Sequence, residues 1–414
     1  MRPSIAIHRA PWLLSMAEPV LCNGAVTVQN NRIVCTGRFA DVKVQFSRAR
    51  VIDHPDCVLM PGLVNAHTHL ELSHLAHLAG QADGQSFTSW LTTMLAERER
   101  LGAVGASVEN AAREMLKSQF ARGAIALGDI GNTGMARSLV PSFPGRLLPF
   151  LEYLGLGRAS ILPALKKLER LDDRVACTAH APYSTHPELI RALKQRAERL
   201  GYMFPIHVAE LAAETGLLCE GRGELADFLR QSGFYEDVFQ ARGIDISGSV
   251  QYLHSLGILN QRTICVHAIH VSSDEMKLLR QSRAKVCLCP GSNRFLRVGK
   301  APLPDYLAHG ILPALGTDSA ASNPELSIWR EMELVAEDHP AVDPLAIITM
   351  ATMGGAQALG IEDDYGTLEP GKSASILAVS IASEITDSQD VAEYLVHNGS
   401  TATMQWLHDL SVEQ

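Results

Sequence analysis

Eight short apolar runs recur between residues 57 and 322, and segments with helical periodicity separate them. Apolar strands that alternate with helices indicate βα units and a parallel sheet. Eight such units are the number that closes a (β/α)8 barrel. The runs are CVLMPGLVNAH, GAIALGDIGNT, RLLPFLEYLG, RVACTAHAPYS, MFPIHVAE, TICVHAIHV, AKVCLCPGSN and ILPALGTDSAAS.

The sequence on either side of these runs has a different pattern. Residues 1–60 alternate as short β segments, with a hairpin predicted around an Asn-Asn turn. Turn and strand character returns after MATMGGAQALGIED. We therefore predict an α/β protein in which residues 61–361 form a TIM-type barrel. Residues 1–60 and 362–414 would form a small composite β-sandwich domain. The long segment 211–262 predicts an insertion that covers the substrate.

Composition limits the partners that this chain can have. Of 414 residues, 46% are hydrophobic and 20% are charged, as in ordinary globular proteins. A net charge of −9 without a basic block argues against nucleic-acid or acidic-membrane binding. No run reaches the roughly 20 apolar residues of a membrane span, and no signal peptide is evident. We expect a cytoplasmic protein with reduced cysteines and a small-molecule substrate, and a homodimer stays open.

Polar residues stand at the ends of the apolar runs, where a barrel presents its active site. His67 and His69 occupy alternate positions, so they share one face of a strand. His207 ends the fifth run, and Asp318 ends the eighth, which neighbours the first in a closed barrel. A lone H-x-H pair is weak evidence for a metal. Four candidate ligands at matching strand ends predict a hydrolytic metal site.

Three more residues at run ends suit proton transfer or substrate contact. Glu210, three residues after His207, predicts a proton shuttle, and the alternative is a surface glutamate that starts a helix. His267 is suited to orienting the attacking water, unless it is a satisfied core histidine. His180 is predicted to contact the substrate, or else to serve packing. Binuclear barrels commonly place a bridging lysine near His180, and RVACTAHAPYS has none, which favours one metal ion.

Three residues are further candidates for binding the substrate. Glu71 and Trp90 are predicted at the mouth of the pocket, and the alternative is that neither has a role there. CPGSNRFLRVGKAP sets several cations close together, and the simplest alternative is a solvated loop. The functional interpretation is that Arg294 pairs with a carboxylate at the distal end of the substrate.

Together these segments resemble the amidohydrolase superfamily, in its mononuclear deaminase and chlorohydrolase branch. The resemblance rests on PGLVNAHTHLE, HAPYS, HVAE, VHAIH, CPGSNRFL, LGTDSAASN and GTLEPGKSASIL, in the family's order. It implies one divalent metal ion, Zn²⁺ ahead of Fe²⁺, and catalysis by three side chains. The implied ligands are His67, His69, His207 and Asp318, and the implied catalytic residues are Glu210, His267 and Asp318.

The activity that this resemblance implies is hydrolytic deamination of an amino-substituted purine nucleoside. HTHLELS and CPGSNRFLRVGKAPLP look most like the aminodeoxyfutalosine enzymes of menaquinone biosynthesis, so 6-aminodeoxyfutalosine ranks first. S-adenosylhomocysteine, methylthioadenosine and adenosine stay open as substrates. Dechlorination of a ring or hydrolysis of a cyclic amidine or amide could use the same residues. A non-catalytic barrel that keeps the motifs is the remaining alternative.

Overall fold

The computed structural model describes residues 5–80, 86–239 and 246–407. The strands in these ranges are β1 Ala6–Leu13, β2 Leu21–Gln29, β3 Arg32–Arg38, β4 Arg50–Asp53, β5 Cys57–Pro61, β6 Leu63–Thr68, β7 Ala124–Gly131, β8 Arg146–Tyr153, β9 Cys177–Ala179, β10 Phe204–Val208, β11 Thr263–His267, β12 Lys285–Leu288, β13 Ala314–Leu315, β14 Ile376–Ser380 and β15 Met404–Trp406.

The α-helices are α1 Phe39–Gln45, α2 Phe87–Leu101, α3 Ala106–Ala121, α4 Ala136–Leu139, α5 Arg158–Glu169, α6 Pro187–Leu200, α7 Ala213–Glu220, α8 Glu224–Gln231, α9 Ser249–Ser255, α10 Ser273–Ser282, α11 Pro290–Leu296, α12 Leu303–Ala308, α13 Ile328–Asp338, α14 Pro344–Thr349, α15 Gly355–Leu359 and α16 Ser388–Asn398. Leu70–Gly80 and Val140–Ser142 form 3₁₀ turns, and Met350–Gly354 forms a π-helical turn.

Each of the eight predicted runs contains a strand, and these strands form two parallel sheets. Their orders are β6-β7-β8-β9 and β10-β11-β12-β13. Backbone hydrogen bonds join the sheets at two seams. At one seam, the His207 N–H donates to the His180 carbonyl oxygen at 2.9 Å. At the other, the N–H groups of Thr317 and Asp318 donate to the His67 carbonyl oxygen at 3.0 and 3.1 Å. The strand ladders do not run through the seams, so a single closed barrel stays a prediction.

The first apolar run supplies strands to two different sheets. β5 pairs with β1 and β14, whereas β6 begins two residues later and pairs with β7. Gly62 separates them, and a Cβ atom there would lie 2.7 Å from Trp406 and 2.8 Å from Ile125 side-chain carbons. Only glycine therefore allows the chain to pass this crowded point.

The two ends of the chain meet in one seven-stranded sheet. Its order is β15-β14-β5-β1-β2-β3, and β4 pairs with β1. The predicted hairpin is confirmed, because β2 and β3 pair around Asn30 and Asn31, whose φ angles are 51° and 58°. Such left-handed residues are what a tight hairpin turn requires. The second layer of the predicted β-sandwich stays a prediction.

Helix α16 was not predicted. The interpretation of residues 362–414 as turns and strands is wrong for Ser388–Asn398, which are helical. Val391, Ala392, Leu395 and Val396 are buried and recur at the spacing of one helical face. This face packs against α13 and α14, outside the terminal sheet.

Two expectations about the whole chain can be compared with the structure. No disulfide joins any of the eight cysteines, all of which lie in the described ranges. Within those ranges, no helix has the length and apolar character to cross a membrane.

The seam beside His67 depends on a buried side-chain pair, and its contribution to stability can be measured. The Asn65 Nδ2 donates to Thr317 Oγ1 at 2.8 Å, and neither residue is exposed. Thr317→Val should lower the free energy of unfolding by about 1–3 kcal/mol, because Asn65 loses its acceptor. Urea unfolding of Thr317→Val and of Thr92→Val, whose hydroxyl lies on an exposed helix, provides the comparison. Equal changes in both variants would contradict the role of this seam.

Candidate active site

The four predicted metal ligands meet at the ends of strands from both parallel sheets. His67 lies in β6 with His69 just beyond it, His207 lies in β10, and Asp318 follows β13. The His207 Nε2 atom is 3.3 Å from Nε2 of both His67 and His69. The Asp318 Oδ1 atom is 3.5 Å from His67 Nε2 and 3.3 Å from His69 Nε2. Four ligand atoms therefore face one point.

These separations suit a metal ion bound at ordinary distances. Zinc bonds of about 2.0–2.1 Å in a tetrahedron place the ligand atoms roughly 3.3–3.4 Å apart. The outward-facing nitrogens fix the tautomers, because the His69 Nδ1 and the His207 Nδ1 each lie 2.9 Å from a backbone carbonyl oxygen. A carbonyl only accepts, so each Nδ1 carries the proton and each Nε2 turns its lone pair inward.

The protonation states also fit a metal. Burial lowers the pKa of His67 to about 4 and lowers the pKa of His207 well below its usual value. Burial alone would raise the pKa of Asp318, but the hydrogen bond to His67 and the nearby His69 and His267 hold it well below the usual range. Neutral imidazoles and an ionised carboxylate are the donor set that a divalent metal needs.

The backbone holds two of the site residues in unfavourable conformations. His267 has φ 67° and Asp318 has φ 58°, in the left-handed region, as does Ala209 with φ 52° directly before Glu210. Each such residue costs about 1–3 kcal/mol and persists only where its surroundings impose it. The surroundings are visible at Asp318, whose Oδ2 accepts hydrogen bonds from the hydroxyls of Ser292 and Ser322. Its Oδ1 is thereby left facing the imidazoles.

Glu210 and His267 lie beside the ligands, as the sequence predicted. The Glu210 Oε1 atom is 3.7 Å from His267 Nε2. Burial raises the pKa of Glu210 to about 7. Burial lowers the pKa of His267, but the carboxylates of Glu210 and Asp318 and the hydrogen bond to Asn293 outweigh it and raise the pKa overall. The Asn293 Oδ1 accepts from the His267 Nδ1 at 3.0 Å, so the His267 Nε2 faces Glu210.

Glu214 supports this pair, and the sequence analysis missed it. Its carboxylate is fully buried and accepts hydrogen bonds from the N–H groups of Ala209, Glu210 and Leu211 at 2.8, 2.8 and 3.2 Å. Glu214 thus fixes the turn that carries Glu210. Its position four residues after Glu210, near the start of a helix, was the available signal.

The site opens into a cavity of about 360 Å³, within the usual range for small-molecule pockets. His180, Glu71 and Trp90 line it, together with the catalytic candidates. Burial lowers the pKa of His180 to about 3, and its Nδ1 lies 2.5 Å from the Ser184 hydroxyl. Segment 211–262 contributes Leu225, Phe228, Leu229 and Phe234 to the cavity lining. That this segment covers the substrate stays a prediction.

Glu71 lies at the cavity wall, but both oxygens of its carboxylate are engaged by the protein. The Oε1 accepts from Arg98 at 2.7 Å. The Oε2 accepts from the backbone and hydroxyl of Thr133 at 3.0 and 2.7 Å. The Arg98 Nη2 also reaches Asn132 at 2.7 Å. Glu71 therefore organises the wall rather than presenting a free carboxylate.

Arg294 lies apart from the cavity, so the structure gives no support to its predicted role in binding a carboxylate. Its guanidinium pairs with Glu337 at 2.5 Å and Asp338 at 2.8 Å, on helix α13. Lys300 also pairs with Asp338, at 2.8 Å. Two cations of CPGSNRFLRVGKAP, Arg294 and Lys300, are thus paired with acidic residues that lie about 40 positions further along the chain. Sequence spacing alone does not reveal those partners.

Glu152 is a second lining residue to which the sequence analysis gave no role. It lies one residue before the end of β8, only 7% of its surface is exposed, and burial raises the pKa of Glu152 to about 8. Its Oε1 lies 4.0 Å from His207 Nδ1. Its place at the end of the third apolar run was the signal.

The sequence profile of the amidohydrolase family matches residues 58–401. This chain belongs to the amidohydrolase family. It is 31% identical over 405 residues to a 5-methylthioadenosine/S-adenosylhomocysteine deaminase of Nitratidesulfovibrio vulgaris, which covers 91% of this chain and 84% of that protein. It is 29% identical over 360 residues to an aminodeoxyfutalosine deaminase of Deinococcus radiodurans, covering 81% of each.

Solved structures show the same fold. An adenosine deaminase from Xanthomonas campestris with bound zinc superposes with a TM-score of 0.75 and 26% identity, covering 96% of this chain and 89% of that one. Helicobacter pylori aminofutalosine deaminase in complex with methylthio-coformycin gives a TM-score of 0.78 with 24% identity, covering 95% of this chain and 96% of that one.

Glu214 should act on catalysis through Glu210, which a matched pair of variants can test. Glu214→Gln presents an amide N–H to backbone N–H groups, so we expect kcat to fall at least tenfold while the metal content stays unchanged. Glu275→Gln is the control, because Glu275 is an equally buried carboxylate that accepts from Val250 and Gln251 outside the cavity. Both variants should lose stability. A similar loss of kcat in both would remove Glu214 from the active site.

Proposed function

We propose that this chain is a metal-dependent hydrolytic deaminase of adenosine-type nucleosides. One observation carries the proposal: four ligand atoms at metal-binding separations share a cavity with Glu210, a buried carboxyl that can hold a proton near neutral pH. The names of the relatives support the substrate class. The zinc in the Xanthomonas campestris structure supports zinc as the metal.

We further infer that the two parallel sheets close into one (β/α)8 barrel with this site at its C-terminal face. The backbone hydrogen bonds at both seams support closure, and so does the parallel bridge between Thr68 and Asp318. The four ligands and Glu210 then lie where barrels place their chemistry. In this division residues 1–60 and 362–414 form the smaller domain.

The chain's own residues can supply every proton that deamination needs. A divalent metal at His67, His69, His207 and Asp318 would lower the pKa of a water molecule toward neutrality. Asp318 then accepts a proton from the attacking water. Its Oδ2 is stabilised by two hydroxyl donors, so Oδ1 remains available to the reacting groups. The same proton later passes from Asp318 to the amine, which leaves as ammonia.

Glu210 and His267 complete the reaction at the substrate ring. Attack at the carbon that bears the amino group pushes electrons onto the adjacent ring nitrogen, and that nitrogen needs a proton. A carboxyl with a pKa of about 7 can hold this proton and still release it. The His267 Nε2 lies 3.7 Å from the Glu210 Oε1, so His267 can orient the attacking water next to the acid. Glu210 therefore acts as the acid, and it recovers its proton from the new hydroxyl when the C–N bond breaks and the carbonyl forms. His267 orients the nucleophile.

The role of Glu210 can be tested by removing its proton without changing its shape. Glu210→Gln should retain the metal and lose more than 99% of kcat, because a carboxamide cannot protonate the ring; general acids contribute about 10²–10⁴-fold. Ammonia release and elemental analysis on one preparation give both quantities. If the variant keeps a tenth of the wild-type kcat at full metal content, Glu210 is not the acid.

The cavity favours a nucleoside with an apolar 5′ substituent. Leu95, Leu154 and Phe234 line it and yet remain 42%, 48% and 62% exposed, and we call these three residues the rim. Exposed apolar groups at a pocket mouth gain stability when a ligand covers them. A methylthio group suits this rim, and so does the aromatic ring of aminodeoxyfutalosine.

The charges of the cavity wall do not favour an acidic substituent. Arg98 is the one arginine or lysine among the lining residues that the structure describes, and Glu71 already pairs with it. With Arg294 engaged on α13, its predicted pairing with a substrate carboxylate no longer supports 6-aminodeoxyfutalosine, which keeps the sequence resemblance in its favour. We therefore rank methylthioadenosine first. Aminodeoxyfutalosine is the second candidate because of its aromatic ring, ahead of adenosine and S-adenosylhomocysteine.

A rim variant should discriminate among these four nucleosides. Phe234→Ala should lower kcat/KM for methylthioadenosine and aminodeoxyfutalosine about 5–10-fold, because each loses partial burial against the ring. Adenosine, which lacks the substituent, should be unaffected. Leu162→Ala, which removes an exposed apolar side chain outside the cavity, is the control. An equal change of kcat/KM for all four nucleosides in Phe234→Ala would show that the rim does not recognise the 5′ substituent.

A further inference from the structure

Glu152 presents an unused hydrogen-bonding atom to the substrate cavity. Its side chain is buried at the end of β8 and lines the cavity beside His180 and His207. Within the described ranges, its Oε1 atom has no hydrogen-bond partner. Buried carboxyl oxygens are almost always paired, so an unpaired one at a cavity wall indicates a missing ligand group.

The neighbouring donors leave this Oε1 atom unpaired. A hydrogen bond from the Asn132 side chain acts to lower the pKa of Glu152, yet among the described residues none reaches Oε1. The His207 Nδ1, at 4.0 Å, already donates to the His180 carbonyl. Glu71, the other carboxylate on this wall, differs because Arg98 and Thr133 occupy both of its oxygens. Glu152 is therefore the wall carboxylate that has an oxygen left for the substrate.

The position of Glu152 indicates which part of the substrate it meets. Glu152 approaches the Nδ1 edge of the His207 ring, whereas the Nε2 edge faces the other three metal ligands. It is thus separated from the reacting centre by the width of an imidazole. If the base occupies the reacting centre, the next group along a nucleoside is its sugar.

The gap between Glu152 and His180 is short enough for one hydroxyl group to bridge. A carboxylate oxygen of Glu152 and a ring nitrogen of His180 lie within 4.8 Å of each other. An oxygen that makes hydrogen bonds of about 2.8 Å to both, at a tetrahedral angle, spans about 4.6 Å. A hydroxyl both donates and accepts, so it can satisfy the carboxylate and pair with the imidazole.

We propose that Glu152 is a specificity-determining residue that accepts a hydrogen bond from a sugar hydroxyl of the nucleoside, with His180 on the other side of that hydroxyl. The proposal rests on the proposed function, since it needs a nucleoside in this cavity. Glu152 acts on binding and orientation, and it transfers no proton in the reaction. Its loss should therefore raise KM more than it lowers kcat.

The test compares one ribonucleoside with its 2′-deoxy and 3′-deoxy analogues. Wild-type protein should prefer the ribonucleoside over one of the analogues by about 10–100-fold in kcat/KM, because that analogue leaves a buried oxygen of Glu152 without a partner. Glu152→Ala should lower kcat/KM for the ribonucleoside by about the same factor and should change kcat/KM for that analogue little. The ratio of the two kcat/KM values should then approach one. Glu152→Gln, which keeps an accepting oxygen, should restore part of the preference.

Glu71→Gln is the matched control, because Glu71 lines the same wall without a free oxygen. It should affect the ribonucleoside and its deoxy analogues equally. If Glu152→Ala also affects them equally, Glu152 is structural and the inference is overturned while the deaminase function stands. If wild-type protein releases ammonia from no nucleoside at all, the proposed function fails and the inference fails with it. Melting temperatures of the three variants separate losses of folding from losses of recognition.

Discussion

The rest of this structure depends on the meeting of three imidazole nitrogens and one carboxylate oxygen. His67 and Asp318 lie on opposite sides of one seam between the two parallel sheets, and His207 lies at the other seam. Four like lone pairs repel one another unless a cation lies between them. Both parallel sheets must therefore be held in register, and the backbone hydrogen bonds at the seams do this without any side chain of the site.

A second set of residues holds the acid and the water-orienting group at fixed distances from that point. Left-handed backbone at Ala209, His267 and Asp318 stores strain that the fold must offset. Buried hydrogen bonds hold these strained residues in place. Glu214 accepts from the N–H of Ala209, and the Ser292 hydroxyl donates to Asp318. The geometry that proton transfer needs is thus built before any substrate arrives.

The sequence predicted those features that depend on local pattern. His67, His69, His207 and Asp318 each follow or end an apolar run, so their convergence follows once the runs become parallel strands. The role of Arg294 could not be judged in this way, because its partners Glu337 and Asp338 come from a helix far along the chain. Glu214 and Glu152 look like ordinary acidic residues until their hydrogen bonds are seen. Helix α16 was missed because strand character was extended to it from β14.

Metal analysis tests the central claim most directly. Protein purified without added metal, and the same protein after chelation, should be compared for divalent metal content and for ammonia release from methylthioadenosine. The four converging ligands, with no bridging lysine near His180, predict one metal ion per chain. Activity should disappear with that ion and return in proportion to the first equivalent of zinc added. Full turnover by metal-free protein, or a requirement for two equivalents per chain, would contradict this account.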